Sequence, residues 1–266
     1  MFGFRVSNNY GEIVVSDSSY TLEYAGKATY SQMFRPTTFR YKAIGGGADL
    51  LNGPIFTGAE FFVDLPHDEF LAFSYSQWPN FTSVMYQIPV TSTRTRLLVA
   101  TQVSFVPTIY CFRKIQPKSG GHGIAVRDSS GNLTFTTQSK ILVPLAAANF
   151  TVPSAGNIYT RFIGSEIIVL EGPSNGPEVV TDLGSLRPLP AMQKPAIAYS
   201  STSTLIVNVD GGFHEFWESG LRLNLSAGRF EHQYGYIDQA TIVQRTNIKP
   251  GAHPGFALAI DGAMYD

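Results

Sequence analysis

Apolar and polar residues alternate through Phe4-Arg5-Val6-Ser7 and again through Ile13-Val14-Val15-Ser16, with the polar stretch Asn8 to Glu12 between them. A period of two predicts half-buried strands, here the two arms of a β-hairpin. The pattern recurs at 123–136, where Ile124 and Val126 lead into the loop and Leu133 and Phe135 leave it. Every position of the second copy lies at a constant offset of 120 from the first, without a gap. Asp128 and Gly131 then occupy the places of Asn8 and Gly11. An Asn or Asp side chain can bond its own backbone, and Gly reaches positive φ without steric cost, so these four are expected as structural turn residues.

Further short strands follow in each half. Thr21–Ala25, Phe39–Ile44, Gly58–Leu65, Phe70–Tyr75, Val84–Ile88, Arg96–Val106 and Thr108–Ile115 are rich in β-branched and aromatic residues and are punctuated by Gly and Pro. Lys27–Met33 carries no decisive period. In the second half, Ile158–Ile163 and Glu166–Leu170 flank Gly164-Ser165, which suits a two-residue hairpin turn. Leu205–Val209, Leu221–Leu225, Ile237–Gln244 and Phe256–Ile260 read as strands, Ala146-Ala147-Ala148 as one helical turn, and the Pro-rich stretch 173–195 as a long irregular excursion. No segment sustains a 3.6-residue apolar period. The spacing predicts an all-β fold of two tandem β-sandwich-like modules with little helix. The first module spans 1–116 and the second 123–266, joined by a polar linker at 117–122 with Pro117 and Gly120-Gly121.

Composition narrows the functional classes. Only 15% of the 266 residues are charged, against roughly 25% in an average soluble domain. That shortage points to surface covered by partner subunits, hence a homo-oligomer. The formal net charge is −1, with no basic stripe to neutralise phosphates, so nucleic acid is not an expected partner. No apolar run approaches a membrane span. The N-terminal stretch has neither a basic nor an apolar signal region. The lone Cys111 leaves no internal disulfide, in keeping with folding in a reducing cytoplasm.

Candidate chemistry is sparse. Asp64, His67 and Asp68, with Glu69, form the densest set of potential metal ligands; a polar turn between two apolar strands yields the same residues for solubility, so no metal or cofactor is expected. Glu215 and Glu218 flank Phe216 and Trp217 as paired acids do in a sugar-cleaving site, but their spacing equally suits a solvated turn. There is no Gly-x-Ser-x-Gly elbow, no His-x-x-x-His and no Cys-x-x-Cys, and an enzyme is not expected. Trp78, Trp217, Tyr234 and Tyr236 are candidates for partner or glycan contact, since an aromatic face can stack on a sugar or anchor an interface.

The hairpin Gly3 to Ser16, with Asp17-Ser18 and Leu22 to Thr29 after it, resembles the opening of small structural proteins of tailed bacteriophages. Those begin Gly-apolar-x-Val-x-Asn-x-x-Gly-x-apolar-x-apolar before a Ser-rich turn and an apolar strand. The likeness covers about thirty residues of the first module and half that in the second, which departs after Thr137. It implies a virion component of the tail, at the tip, baseplate or fibre-attachment region. Such a component is assembled in the host cytoplasm and works through contacts with other tail proteins. It carries over no active site. The alternative is a carbohydrate- or host-receptor-binding module of the tail, using Trp217, Tyr234, Tyr236 and the 173–195 stretch on a surface glycan.

Overall fold

A computed structural model of the chain describes residues 5–7, 13–16, 21–34, 56–67, 69–76, 80–102, 105–118, 123–152, 157–163, 166–172, 181–185, 188–199, 204–209, 213–241 and 253–266. Within them the fold is all-β, and the one helical element is a 3-10 turn at Gly262–Met264. The first half contains β1 (Arg5–Ser7), β2 (Ile13–Ser16), β3 (Leu22–Lys27), β4 (Thr29–Phe34), β5 (Phe56–Val63), β6 (Phe70–Tyr75), β7 (Thr82–Thr91), β8 (Arg94–Gln102) and β9 (Ile109–Lys114). The second begins with β10 (Ala125–Arg127), β11 (Leu133–Thr136), β12 (Ala146–Val152), β13 (Asn157–Ile163), β14 (Glu166–Gly172) and β15 (Thr181–Gly184). It ends with β16 (Pro195–Tyr199), β17 (Thr204–Val209), β18 (Phe213–Asn224), β19 (Arg229–Thr241) and β20 (His253–Asp261).

A six-stranded antiparallel sheet runs β12-β20-β16-β6-β9-β3. Its ends meet. The Tyr24 N–H donates to the Lys140 carbonyl at 2.7 Å, the Leu142 N–H donates to the Leu22 carbonyl at 2.8 Å, and Glu23 bridges Ile141. The sheet is thereby closed into a barrel, with one seam between β3 and the stretch leading into β12. Strand alternation sends Phe73, Tyr110, Phe112, Ala196, Ala198 and Ile260 inward, where Tyr265 joins them. Phe112 meets Phe73 and Tyr265 edge to face, with ring centroids 5.3 and 4.8 Å apart.

The opposite faces of the same strands pack outward on a second sheet, ordered β15-β19-β18-β7-β8-β5-β4 with β17 beside β18. Phe70, Ala72, Ile109 and Cys111 meet Ala59, Phe61, Leu97 and Val99 in one core. Ala146, Ala148, Ile197, Ala257 and Ala259 meet Leu221, Leu223 and Phe230 in another. Each fully buried Phe or Leu of these cores contributes roughly 1.5–3 kcal/mol of hydrophobic stabilisation.

The expected helical turn at Ala146–Ala148 is instead the start of β12. Ala146 pairs with Ala259 and Ala148 with Ala257, so the ladder satisfies the backbone while the small methyls let the strand sit close over the core. Lys27–Met33 resolves into the end of β3 and most of β4. The 173–195 stretch contains β15; residues 173–180 lie outside the described residues, as does the expected strand Phe39–Ile44. Neither large sheet stops at 117–122, of which 119–122 also lie outside the described set. Each sheet draws strands from both sides of that stretch.

Strand pairing follows one scheme in both halves. The first strand after each hairpin, β3 or β12, and a later strand, β6 or β16, flank the last strand, β9 or β20. In the other sheet, β5 or β15 pairs with β8 or β19, which pairs with β7 or β18. The halves then touch through counterparts. β6 pairs with β16, β7 pairs with β18, and β2 lies against β11. At the barrel seam Leu22 pairs with Leu142, the residue that the offset of 120 puts in its own place. Antiparallel contact of each element with its own equivalent is the mark of a two-fold relation, here within one chain.

Candidate functional site

The two hairpins share one register. Arg5, Val6 and Ser7 pair with Ser16, Val15 and Ile13, and Ala125, Val126 and Arg127 pair with Thr136, Phe135 and Leu133. Both shift register at the same step, between Val6 and Ser7 and between Val126 and Arg127. Neither hairpin belongs to the large sheets. In the second, Asp128 Oδ1 accepts from the N–H groups of Ser130 (2.9 Å) and Asn132 (2.8 Å), and Gly131 has φ 82°. Asn8 and Gly11 lie outside the described residues. Ile124, on the second hairpin, is 64% exposed, a large apolar side chain given to solvent.

Where the second hairpin leads into the barrel seam, a buried carboxylate holds three segments together. Glu23 is 1% exposed. Its Oε1 accepts from Arg113 Nε at 3.2 Å, and its Oε2 accepts from Ser139 Oγ at 2.5 Å and pairs with Lys118 Nζ at 3.3 Å. Burial raises its pKa, but the Ser139, Lys118 and Arg113 contacts outweigh burial and leave the group below the ordinary carboxylate value. A second node lies on β18 and β19, where Glu231 receives Arg222 (2.7 Å), Asn224 (2.9 Å) and Arg229 (3.0 Å). The Arg222 guanidinium also stacks 4.0 Å over Phe81 from the other half. These carboxylates are buried and bonded to structural partners. The sequence reading passed over Glu23; its signal was a charged residue inside the apolar run Leu22-Glu23-Tyr24.

The end of the barrel at the start of β16 is capped by residues 262–266. The Gly262 N–H donates to the Lys194 carbonyl (2.7 Å), and the Asp261 carboxylate accepts the N–H groups of Gln193 (3.0 Å) and Lys194 (2.8 Å). Tyr265 enters the central core. Its hydroxyl donates to the Ile141 carbonyl (3.0 Å) and accepts from the Val143 N–H (2.9 Å). Asp266 bonds Lys194, pairs with Lys27 at 2.7 Å and accepts from the Tyr110 hydroxyl at 3.2 Å. Lys194 and Lys27 draw its carboxyl down to about 2.

Two of the three weak ligand candidates have other partners. Asp64 faces Arg94 at 3.6 Å, His67 Nε2 lies 2.8 Å from the Gln87 carbonyl, and Asp68 lies outside the described residues. Among the described residues, no three His, Cys, Asp or Glu side chains come together. Trp78 also lies outside them. Trp217 stands opposite Tyr236 on the β18–β19 ladder and Tyr234 opposite Ser219, so the three positions share one face. It is the face that carries Leu221, Leu223 and Phe230 into the core. Glu215 and Glu218 lie on the same strand, on either side of the irregularity between Phe216 and Trp217. Among the described residues, no helix is long and apolar enough to cross a membrane. The chain matches no family model, no curated protein and no solved structure.

Proposed function

We propose that the chain is a structural component of a bacteriophage tail, at the tip, baseplate or fibre-attachment region, and that it acts through protein–protein assembly, as a homo-oligomer and with other tail proteins. The observation that carries this reading is the pair of hairpins. Their opening sequence resembles that of tail structural proteins, and each forms a two-stranded sheet of its own, the second bonded to the start of β3 through Thr21 and Thr134 and exposing Ile124. A hairpin outside its own sheets offers unpaired strand edges and apolar side chains to a neighbour. The low charge content supports a surface meant for burial between subunits, and virion assembly in the host cytoplasm suits a chain with one buried, unpaired cysteine. Antibodies against the purified chain should decorate the tails of virions from the phage encoding it, and virions that carry none of the chain would end this reading.

A second reading is host glycan recognition through Trp217, Tyr234 and Tyr236, although their positions lie on the face that carries Leu221, Leu223 and Phe230 into the core. Saturable binding to purified cell-wall glycan, lost in Trp217→Ala, would establish it. A chain that binds no glycan would remove it.

A further inference from the structure

The two halves meet in the barrel wall through β6 and β16, and the ladder between these strands is short. It holds two pairs, Ala196–Tyr75 and Ile197–Ser74. The same register carried on would set Ala198 opposite Phe73 and Tyr199 opposite Ala72. Tyr199 turns instead to the second sheet, where its hydroxyl donates to the Thr82 carbonyl at 3.3 Å. Beside this break lies a cavity of about 130 Å³. All three apolar cores reach it: Leu71 and Ala198 from the barrel interior, Ala72 and Val84 from one inter-sheet core, and Ile197 from the other.

Gln87 completes the wall. Its side-chain oxygen Oε1 is buried and has no hydrogen-bond partner among the described residues. Ser74, two residues from Ala72 on the same face of β6, is 1% exposed, and its hydroxyl is unpartnered in the same way. The backbone of Ala72 also points toward the break. The Tyr75 N–H bonds on the β9 side, to Thr108, and the Ser76 N–H on the β16 side, to Pro195. Even-numbered residues of β6 therefore direct their N–H and C=O groups at β16.

The wall selects among occupants. Among the described residues it carries no charged side chain, so an ion would be buried unpaired. Water alone fits poorly. One buried water needs about 10–15 Å³ and about two to four polar partners, so this volume would hold several waters against a mostly aliphatic wall. An apolar cavity of about 150 Å³ takes up benzene. We infer that the cavity is a binding site for a small neutral organic molecule of the size of phenol, whose body lies against Leu71, Ala72, Val84, Ile197 and Ala198 and whose hydroxyl donates to Gln87 Oε1. Val84, Gln87 and Tyr199 are only half-buried, so the cavity opens to solvent on their side and a ligand can enter. The occupant takes the place of the missing strand pairs and ties the halves together. This site is independent of the tail reading.

The test titrates the intact chain with phenol and with benzene, followed by ligand-observed NMR. Both should bind saturably. Gln87→Met keeps the length of the side chain and deletes the unpaired acceptor, which folding tolerates because no hydrogen bond of Oε1 is lost. It should lower the affinity for phenol relative to benzene by about two- to tenfold, the contribution of one neutral hydrogen bond. Ala72→Leu fills the cavity and should abolish binding of both, with thermal unfolding of each variant read alongside to show that it is folded. If Ala72→Leu does not fold, the ratio in Gln87→Met decides alone. A cavity that takes water only, seen as saturable binding of neither probe, overturns the proposal. So does a phenol-to-benzene ratio unchanged in Gln87→Met, or binding that survives in folded Ala72→Leu.

Discussion

Glu23→Gln tests whether the buried carboxylate stabilises the seam through its charge. The substitution keeps shape and volume, but the Gln carbonyl replaces only one of the two carboxylate oxygens, so either Arg113 or the Ser139 and Lys118 side loses its acceptor, and the negative charge is lost. A hydrogen bond to a charged group contributes about 1.5–3 kcal/mol, against about 0.5–1.5 for a neutral one. Two of the three partners are discounted, because Arg113 and Lys118 are 39% and 40% exposed and can turn to water once unpaired. The expected loss is about 2 kcal/mol at pH 7, read from urea unfolding of both proteins. The pH dependence separates charge from packing. The folded pKa of Glu23 lies below the unfolded value of 4.5, so the stability it provides is fully present above that value and is lost as pH falls below it. The gap between parent and Glu23→Gln should therefore be full at pH 7, constant down to about pH 5, and shrink by pH 3.5. Burial holds His232 down at about 4, so both proteins lose stability between pH 6.5 and 4 as the unfolded chain takes up that proton; this loss is common and cancels in the difference. Equal unfolding midpoints at pH 7, or a gap that does not narrow in acid, would refute the reasoning.

The remaining predictions concern the cap, the turn and the buried thiol. Gly262→Ala places a methyl into the Tyr110 ring, and overpacking of this kind should cost roughly 1–3 kcal/mol, seen as a lower midpoint in thermal unfolding. Gly131→Ala meets no neighbour but must hold φ near 82°; about 1 kcal/mol of destabilisation is expected, and unchanged stability would mean that the turn relaxes. Burial pushes the Cys111 thiol up to about 12, so the native chain at pH 8 should react with a thiol reagent only at the rate at which it opens, and at once in denaturant. Rapid labelling of the native protein would place Cys111 outside the core.

The all-β class could be read because alternation is a local property, and so could the Asp128 turn, where side chain and backbone lie within four residues. The sharing of sheets could not be read, because no local pattern records which strand of the other half completes a sheet or fills the common core. The Leu22–Leu142 pair is an exception in retrospect. The offset that aligns the hairpins also aligns these two leucines, but nothing in the sequence says that a residue pairs with its own equivalent. The fading of the repeat beyond the hairpins has a packing cause. In the barrel, β6 and β9 contribute Phe73, Tyr110 and Phe112, while β16 contributes Ala196 and Ala198 and β20 contributes Ile260 and Leu258. The core is common to both halves and close-packed, so bulk on one side must be matched by small side chains on the other. Two identical halves would double the three rings that β6 and β9 supply, or halve the bulk and leave a void. The hairpins do not share that core and escaped the constraint. Backbone pairing, which is indifferent to side-chain size, kept the duplicated scheme while the interior sequences diverged in complementary directions. Selection for a filled barrel therefore erases the very similarity that would have revealed it.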